Sequence, residues 1–212
     1  SVGSSDNCGS TTAQTAGLAS GSVFPIGTTT NSFVATDAAG NTAACSFTVT
    51  VNDTEAPVIS CPANVNVSND NGVCGAAVSY SVSSSDNCNS TSAQTAGLAS
   101  GSVFPVGTTT NSFVATDASG NTAACSFSVT VNDTEAPVIS CAANVNVSNN
   151  TGICGAAVNY TVSTSDNCGG ATSAQTAGLA SGSVFPVGTT TNSFVATDAA
   201  GNTAACSFTV TV

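Results

Sequence analysis

Apolar and polar residues alternate along this chain in short runs, and the same runs return after 80 residues. Val65 and Val67 alternate with asparagines, Ala76, Val78, Tyr80 and Val82 alternate with small residues, and Ala123, Cys125, Phe127, Val129 and Val131 form a third such series. A period of two predicts strands with one buried face, and no stretch shows the period of a helix. Within residues 53–132 the pattern predicts strand A over 58–61, A′ over 64–68, B over 76–83 and C over 91–98. A short strand and corner follow over 101–107, then a strand over 109–116 with Phe113 and Ala115 on one face, and the final strand G. Asn69-Asp70-Asn71-Gly72 and Asp117-Ala118-Ser119-Gly120-Asn121 carry turn residues between these runs. Many short strands at regular spacing predict an all-β chain of sandwich modules.

The repeat sets the organisation. Cys8, Cys45, Cys61, Cys74 and Cys88 each have a counterpart 80 residues on, and Cys125 has one 81 residues on at Cys206. A long fixed period marks an array of small modules. The expected division is a partial module over 1–52, lacking its first strands, and complete modules over 53–132 and 133–212. Residues 1–52 match 81–132 except at six positions, so the chain is expected to be a window on a longer array.

Composition narrows the function. The 212 residues include 11 Asp and Glu and no Lys, Arg or His, for a net charge of −11. Without a cation to meet phosphate, nucleic-acid binding and attraction to anionic lipid are not expected. No apolar span or leader is visible, so direct membrane insertion is not expected either. Ten cysteines without histidine point to disulfides in an oxidising, extracellular setting rather than to zinc. Reduced core thiols are the simpler alternative. Serine and threonine abound, but no His or Lys could activate one as a nucleophile, and no aromatic cleft accompanies the carboxylates, so the chain is not expected to be an enzyme.

Cys61-Pro62-Ala63-Asn64-Val65, Asp86-Asn87-Cys88, Phe104-Pro105-Val106-Gly107-Thr108-Thr109-Thr110, Asp117-Ala118-Ser119-Gly120-Asn121 and Cys125-Ser126-Phe127-Ser128-Val129-Thr130-Val131 closely resemble the hyalin repeat family. The resemblance covers the whole module and recurs in every copy. It implies tandem immunoglobulin-like β-sandwich modules arranged end to end, in a large bacterial-type surface adhesin or filament. Asn111 stands where the family usually has an apolar residue, and Ala142 replaces Pro62, which predicts softer local packing at both places.

In an immunoglobulin-like sandwich A′ and G lie side by side in parallel, and the spacing Cys61…Val65 equals Cys125…Val129. The resemblance therefore implies Cys61–Cys125 and, one repeat on, Cys141–Cys206. The second pairing stays open. Local bridges Cys74–Cys88 and Cys154–Cys168 are the first expectation, although eight extended residues span about 26 Å and a disulfide needs Cα atoms within about 7 Å. An inter-module bond Cys74–Cys168 is the alternative.

In the same topology the linker, the B–C loop and the turn before G emerge at one end, which gathers Asp53, Glu55, Asp86 and Asp117, and likewise Asp133, Glu135, Asp166 and Asp198. Two carboxylates about 5 Å apart repel by about 3 kcal/mol at an effective dielectric near 20. Oxygen ligands on loops suit Ca²⁺, the expected structural ion; plain turn and linker roles are the alternative. Asn52, Asn66, Asn89, Asn132, Asn146, Asn149 and Asn159 head Asn-X-Ser/Thr sequences open to glycosylation. The expected function is a stalk or filament segment of a cell-surface adhesin, each module adding about 35–40 Å of reach. Its expected partners are neighbouring modules and other copies in a filament; the rival is a module that itself binds a glycan or protein receptor.

Overall fold

The computed structural model describes residues 1–212 and is built from strands alone. The first module contributes β1 (Ser10–Ala16), β2 (Gly27–Asp37) and β3 (Thr42–Val51). The second contributes β4 (Val58–Ser60), β5 (Val65–Ser68), β6 (Gly75–Ala77), β7 (Ser83–Ser85), β8 (Ser90–Ala96), β9 (Val103–Pro105), β10 (Gly107–Asp117) and β11 (Thr122–Asn132). The third repeats that set as β12 (Val138–Ser140), β13 (Val145–Asn146), β14 (Gly155–Ala157), β15 (Ser163–Ser165), β16 (Thr172–Ala177), β17 (Val184–Pro186), β18 (Thr189–Thr197) and β19 (Thr203–Thr211).

By internal contacts the chain forms two compact units. One comprises Ser1–Val58, Ser84–Ser92 and Ala115–Ala123; the other comprises Ile59–Ser83, Ala93–Val114 and Ala124–Val212. In the first unit β1, β2 and β3 form an antiparallel sheet, with a register shift between Gln14 and Ala16. Phe33 and Phe47 stack on its open face, and Phe47 is 48% exposed.

The complete modules each have a four-stranded sheet, ordered β5-β11-β10-β8 and β13-β19-β18-β16, faced by two short strand pairs. β5 runs parallel to β11 and β13 parallel to β19, with Val65 beside Val129 and Val145 beside Val210. Alternation explains the core. Phe127, Val129 and Val131 point inward from β11 and are buried with Ala76, Val78, Phe104 and Phe113. Tyr80 stands edge-on to Phe104, Phe113 and Phe127, at centroid distances of 4.8–6.5 Å. The third module repeats the cluster around Phe185, Phe194, Phe208 and Val210, and Ala142, in the place of Pro62, packs against it.

The predicted course of strand B is corrected. Strand B is not continuous over 76–83, because its middle is claimed by another segment. The Ser100 hydroxyl accepts from the Tyr80 N–H (2.8 Å) and donates to the Tyr80 carbonyl (2.7 Å), while Val78 pairs with Gly101 and Ser102. The strand is thereby reduced to β6 and β7, with a side-chain tie between them. Asn111 ties two segments together through its Oδ1, although its Nδ2 is buried without a partner. The residue is fully buried, and its Oδ1 accepts from the Leu98 N–H (2.9 Å) and from Gln94 Nε2 (3.3 Å). Asn31 and Asn192 make the same ties. Gly97 has φ +92, and a Cβ there would collide with the Asn111 side chain, so the corner needs glycine twice over.

Cys61 joins Cys125 and Cys141 joins Cys206, each pair with Cα atoms 5.9 Å apart. The local bridges Cys74–Cys88 and Cys154–Cys168 do not form. Cys74 is bonded instead to Cys168 of the next module, with a Cα separation of 4.6 Å, and Cys8, Cys45, Cys88 and Cys154 carry free thiols. Both β6 and β7 intervene between Cys74 and Cys88 in sequence, and Cys74 lies instead within disulfide reach of Cys168.

Candidate functional site

Cys74, Glu135 and Cys168 come together where the second module meets the third. The turn Asn69–Gly72 is fastened to the strand end by the Asn69 N–H, which donates to the Asn132 carbonyl (2.9 Å). The Asn69 side chain works in both directions. Its Nδ2 donates to the Val73 carbonyl (3.2 Å), and its Oδ1 accepts from the Thr134 N–H (3.0 Å) of the linker. One residue further along that linker, Glu135 Oε2 accepts from the Gly72 N–H at 2.7 Å. The B–C loop of the third module adds Asn167 Nδ2, which donates to the Val73 carbonyl (3.1 Å), and Cys168, which is bonded to Cys74. One turn is thus held by a linker, a loop and a covalent bond.

The same linker and loop residues behave differently one repeat earlier. There Glu55 Oε2 accepts from Asn87 Nδ2 (2.9 Å), so the Glu–Asn pair bonds to itself rather than to a turn. Asp86 and Asp166 shape their loops alike: Oδ2 accepts from the N–H two residues on, at Cys88 (2.8 Å) and Cys168 (2.9 Å).

The eight carboxylates proposed as metal ligands do not all gather. Asp117 is spent on its own turn, accepting from the N–H groups of Ser119 and Asn121 and from Asn121 Nδ2 at 2.8–2.9 Å; Asp198 uses Asn202 in the same way. Glu55 and Glu135 are committed as described. What remains together is Asp53, Asp86 and the Cys88 sulfur, with ligand atoms within 4.8 Å of one another, and the matching set Asp133, Asp166 and Cys168. In the second set the sulfur is already in a disulfide, while the buried Asp166 Oδ1 has no hydrogen-bond partner. Paired carboxylates with one unpartnered oxygen fit a hard, oxygen-seeking cation such as Ca²⁺. They supply only part of the six to eight or so ligands it takes, leaving the rest to carbonyls and water.

Electrostatics follow from these contacts. Burial pushes the Asp117 and Asp198 carboxyls up, but the hydrogen bonds from Asn121 and Asn202 and from the turn N–H groups outweigh it and hold both below their ordinary value of 3.8. Asp37 is lowered by the Asn41 side chain and the same kind of turn. Burial, then the charge and hydrogen bond of Asp53, then the charges of Asp86 and Asp117, push the Cys88 thiol up. A carboxyl lowered on folding stabilises the fold above its unfolded value, and that contribution disappears as pH falls through the folded value. The melting temperature is therefore expected to hold steady down to about pH 4 and to fall steeply below it. Asn121→Ala and Asn202→Ala should flatten that acid slope; thermal scans across pH would check both.

Asn69, Asn87, Asn167 and Gly72 were not anticipated as functional residues. Their signal was present, since Asn69, Asn87 and Glu55 recur as Asn149, Asn167 and Glu135. All seven asparagines of the glycosylation sequences are exposed, and Asn132 Nδ2 donates to Asn66 Oδ1 (2.6 Å).

Comparison with known proteins places this arrangement. The chain is 39% identical over 199 residues to a hyalin of Strongylocentrotus purpuratus, covering 91% of this chain and 17% of that protein. It is 32% identical over 174 residues to a hyalin of Lytechinus variegatus, covering 80% of this chain and 33% of that protein. The chain therefore spans a third or less of these relatives, and the bacterial qualifier finds no counterpart in them. Among solved structures, human CDH23 EC21–23 is 13% identical with a TM-score of 0.38, covering 86% of this chain and 73% of that one. The protocadherin gammaB7 EC3–6 cis-dimer structure is 16% identical with a TM-score of 0.36, covering 88% of this chain and 58% of that one. At those scores neither bears on what the chain does. The HYR domain model matches residues 1–51, 52–131 and 132–212, the whole length of the sequence, and the chain belongs to the HYR domain family.

Proposed function

We propose that this chain is a structural segment of an extracellular adhesive stalk or filament, in which modules 53–132 and 133–212 are stapled at the seam they share. Its role is to transmit position and load rather than to catalyse a reaction. The observation that carries the reading is the Cys74–Cys168 bond, backed by the Glu135 and Asn167 hydrogen bonds to the same turn. A binding module has no use for a covalent tie to its neighbour. A load-bearing one does, because the tie removes the seam as a hinge. The relatives named hyalin support an extracellular, adhesion-related setting.

In this reading Ca²⁺ sits at Asp53 with Asp86, and at Asp133 with Asp166, where it offsets carboxylate repulsion that no basic residue of the chain can relieve. Backbone carbonyls and water complete its shell. An ion that binds only the folded state adds about 2.7 kcal/mol at a hundredfold excess over its Kd. Adding Ca²⁺ to chelator-treated protein is accordingly expected to raise the melting temperature by several degrees, with Asp133→Asn and Asp166→Asn abolishing part of the gain. Identical melting curves with chelator and with millimolar Ca²⁺ would remove the ion from the mechanism. The stalk itself is tested by imaging and pulling single molecules: regularly spaced beads on a stiff rod are expected, and a freely jointed string would refute it.

A further inference from the structure

Asn71-Gly72 is the single Asn-Gly pair in the chain, and it lies in the turn that receives the next module. Asn71 is exposed, and Gly72, with φ +71, has no side chain to shield its nitrogen. An asparagine in that setting is chemically reactive, because the following amide nitrogen can attack its side-chain carbonyl. Here that nitrogen is occupied: its N–H donates to Glu135 Oε2 of the following module at 2.7 Å. The corresponding position of the third module is Thr151, which cannot undergo the reaction.

We propose that Asn71 is a site of spontaneous deamidation whose rate is set by Glu135. The step balances without oxidant or reductant. The Gly72 nitrogen loses its proton and forms a bond to Asn71 Cγ; the Cγ–Nδ2 bond breaks, and the amide leaves as ammonia with that proton. The resulting five-membered succinimide is opened by one water. Cleavage of its Cγ–N bond leaves aspartate, and cleavage of its backbone carbonyl–N bond leaves isoaspartate.

Glu135 opposes the first step in two ways. Its hydrogen bond must be lost before the nitrogen can attack. Its negative charge also disfavours the amide anion. The product adds a carboxylate beside Glu135 in a chain without a cation, and isoaspartate lengthens the backbone three residues before Cys74. An open seam would therefore age chemically and close less well. This inference concerns the seam's chemistry and does not depend on the stalk reading.

The test uses the full oxidised chain, incubated at mildly alkaline pH and digested with chymotrypsin, with aspartate and isoaspartate at position 71 followed by mass spectrometry. Folded wild-type protein is expected to deamidate more slowly than the reduced, denatured chain. Glu135→Ala should accelerate the folded protein about tenfold, the equivalent of ~1.4 kcal/mol, with faster hydrogen exchange at the Gly72 amide. Equal rates in folded and denatured wild type would overturn the proposal. So would an unchanged rate in Glu135→Ala while Gly72 exchange speeds up. Should the alanine variant unfold, Glu135→Gln keeps an acceptor oxygen without the charge: an intermediate rate supports the proposal, and a rate equal to wild type refutes it.

Discussion

Replacing Cys61 and Cys125 together by alanine is expected to destabilise the middle module by about 4 kcal/mol and to lower its melting temperature by roughly 15–30 °C. The bond closes 64 residues of an 80-residue module, so it restricts nearly the whole unfolded chain. In the chain-entropy account a loop of that size is worth about 4 kcal/mol. A small domain has only about 5–15 kcal/mol in total, so the loss is a large fraction. Alanine is the right replacement because both cysteines pack against the core cluster that includes Phe127 and Val129, where a serine hydroxyl would add a separate desolvation cost. Calorimetry of the variant checks the figure, and a shift of only a few degrees would mean that the module's core suffices without its bond.

Removing the seam bond with Cys74→Ala and Cys168→Ala should have a different effect. Its separation of 94 residues gives a similar entropic value, about 4–5 kcal/mol against complete unfolding. The chain it closes, however, includes parts of two folded cores that have their own disulfides. The expected result is a loss of coupling: calorimetry should resolve separate transitions for the second and third modules in place of one. The turn, left with its linker and loop hydrogen bonds, should open locally more often, and the Gly72 amide should exchange about tenfold faster, the equivalent of ~1.4 kcal/mol. Unchanged exchange at Gly72 together with an unchanged transition would show that the seam holds without sulfur.

How much of this was legible beforehand depends on whether a residue acts on its own strand or on a distant one. The final strand and the core of Phe113, Phe127, Val129 and Val131 follow from alternation, because burial of one sheet face imposes a period of two. The break in strand B does not follow. It is caused by Ser100, twenty residues away, whose hydroxyl replaces a ladder partner at Tyr80. Asn111 reads as a flaw in an apolar strand until the part-buried N–H of Leu98 is seen to bond to it. The acidic residues were located but their duties were not, since an aspartate satisfying its own turn and one left unpartnered occupy equally suitable loops. Cysteine spacing favours the local bridge Cys74–Cys88 over the distant one, and only the position of Cys74 beside Cys168 in the fold reverses that order.

The three bonds Cys61–Cys125, Cys74–Cys168 and Cys141–Cys206 enclose overlapping stretches of sequence. Their union is unbroken from residue 61 to residue 206. Any single backbone scission inside that range consequently leaves one covalent molecule, with both fragments still attached. The linker over 133–137 lies inside only one of the three loops, the one closed at the seam. After a cut in that linker, this bond alone keeps the two fragments in one molecule.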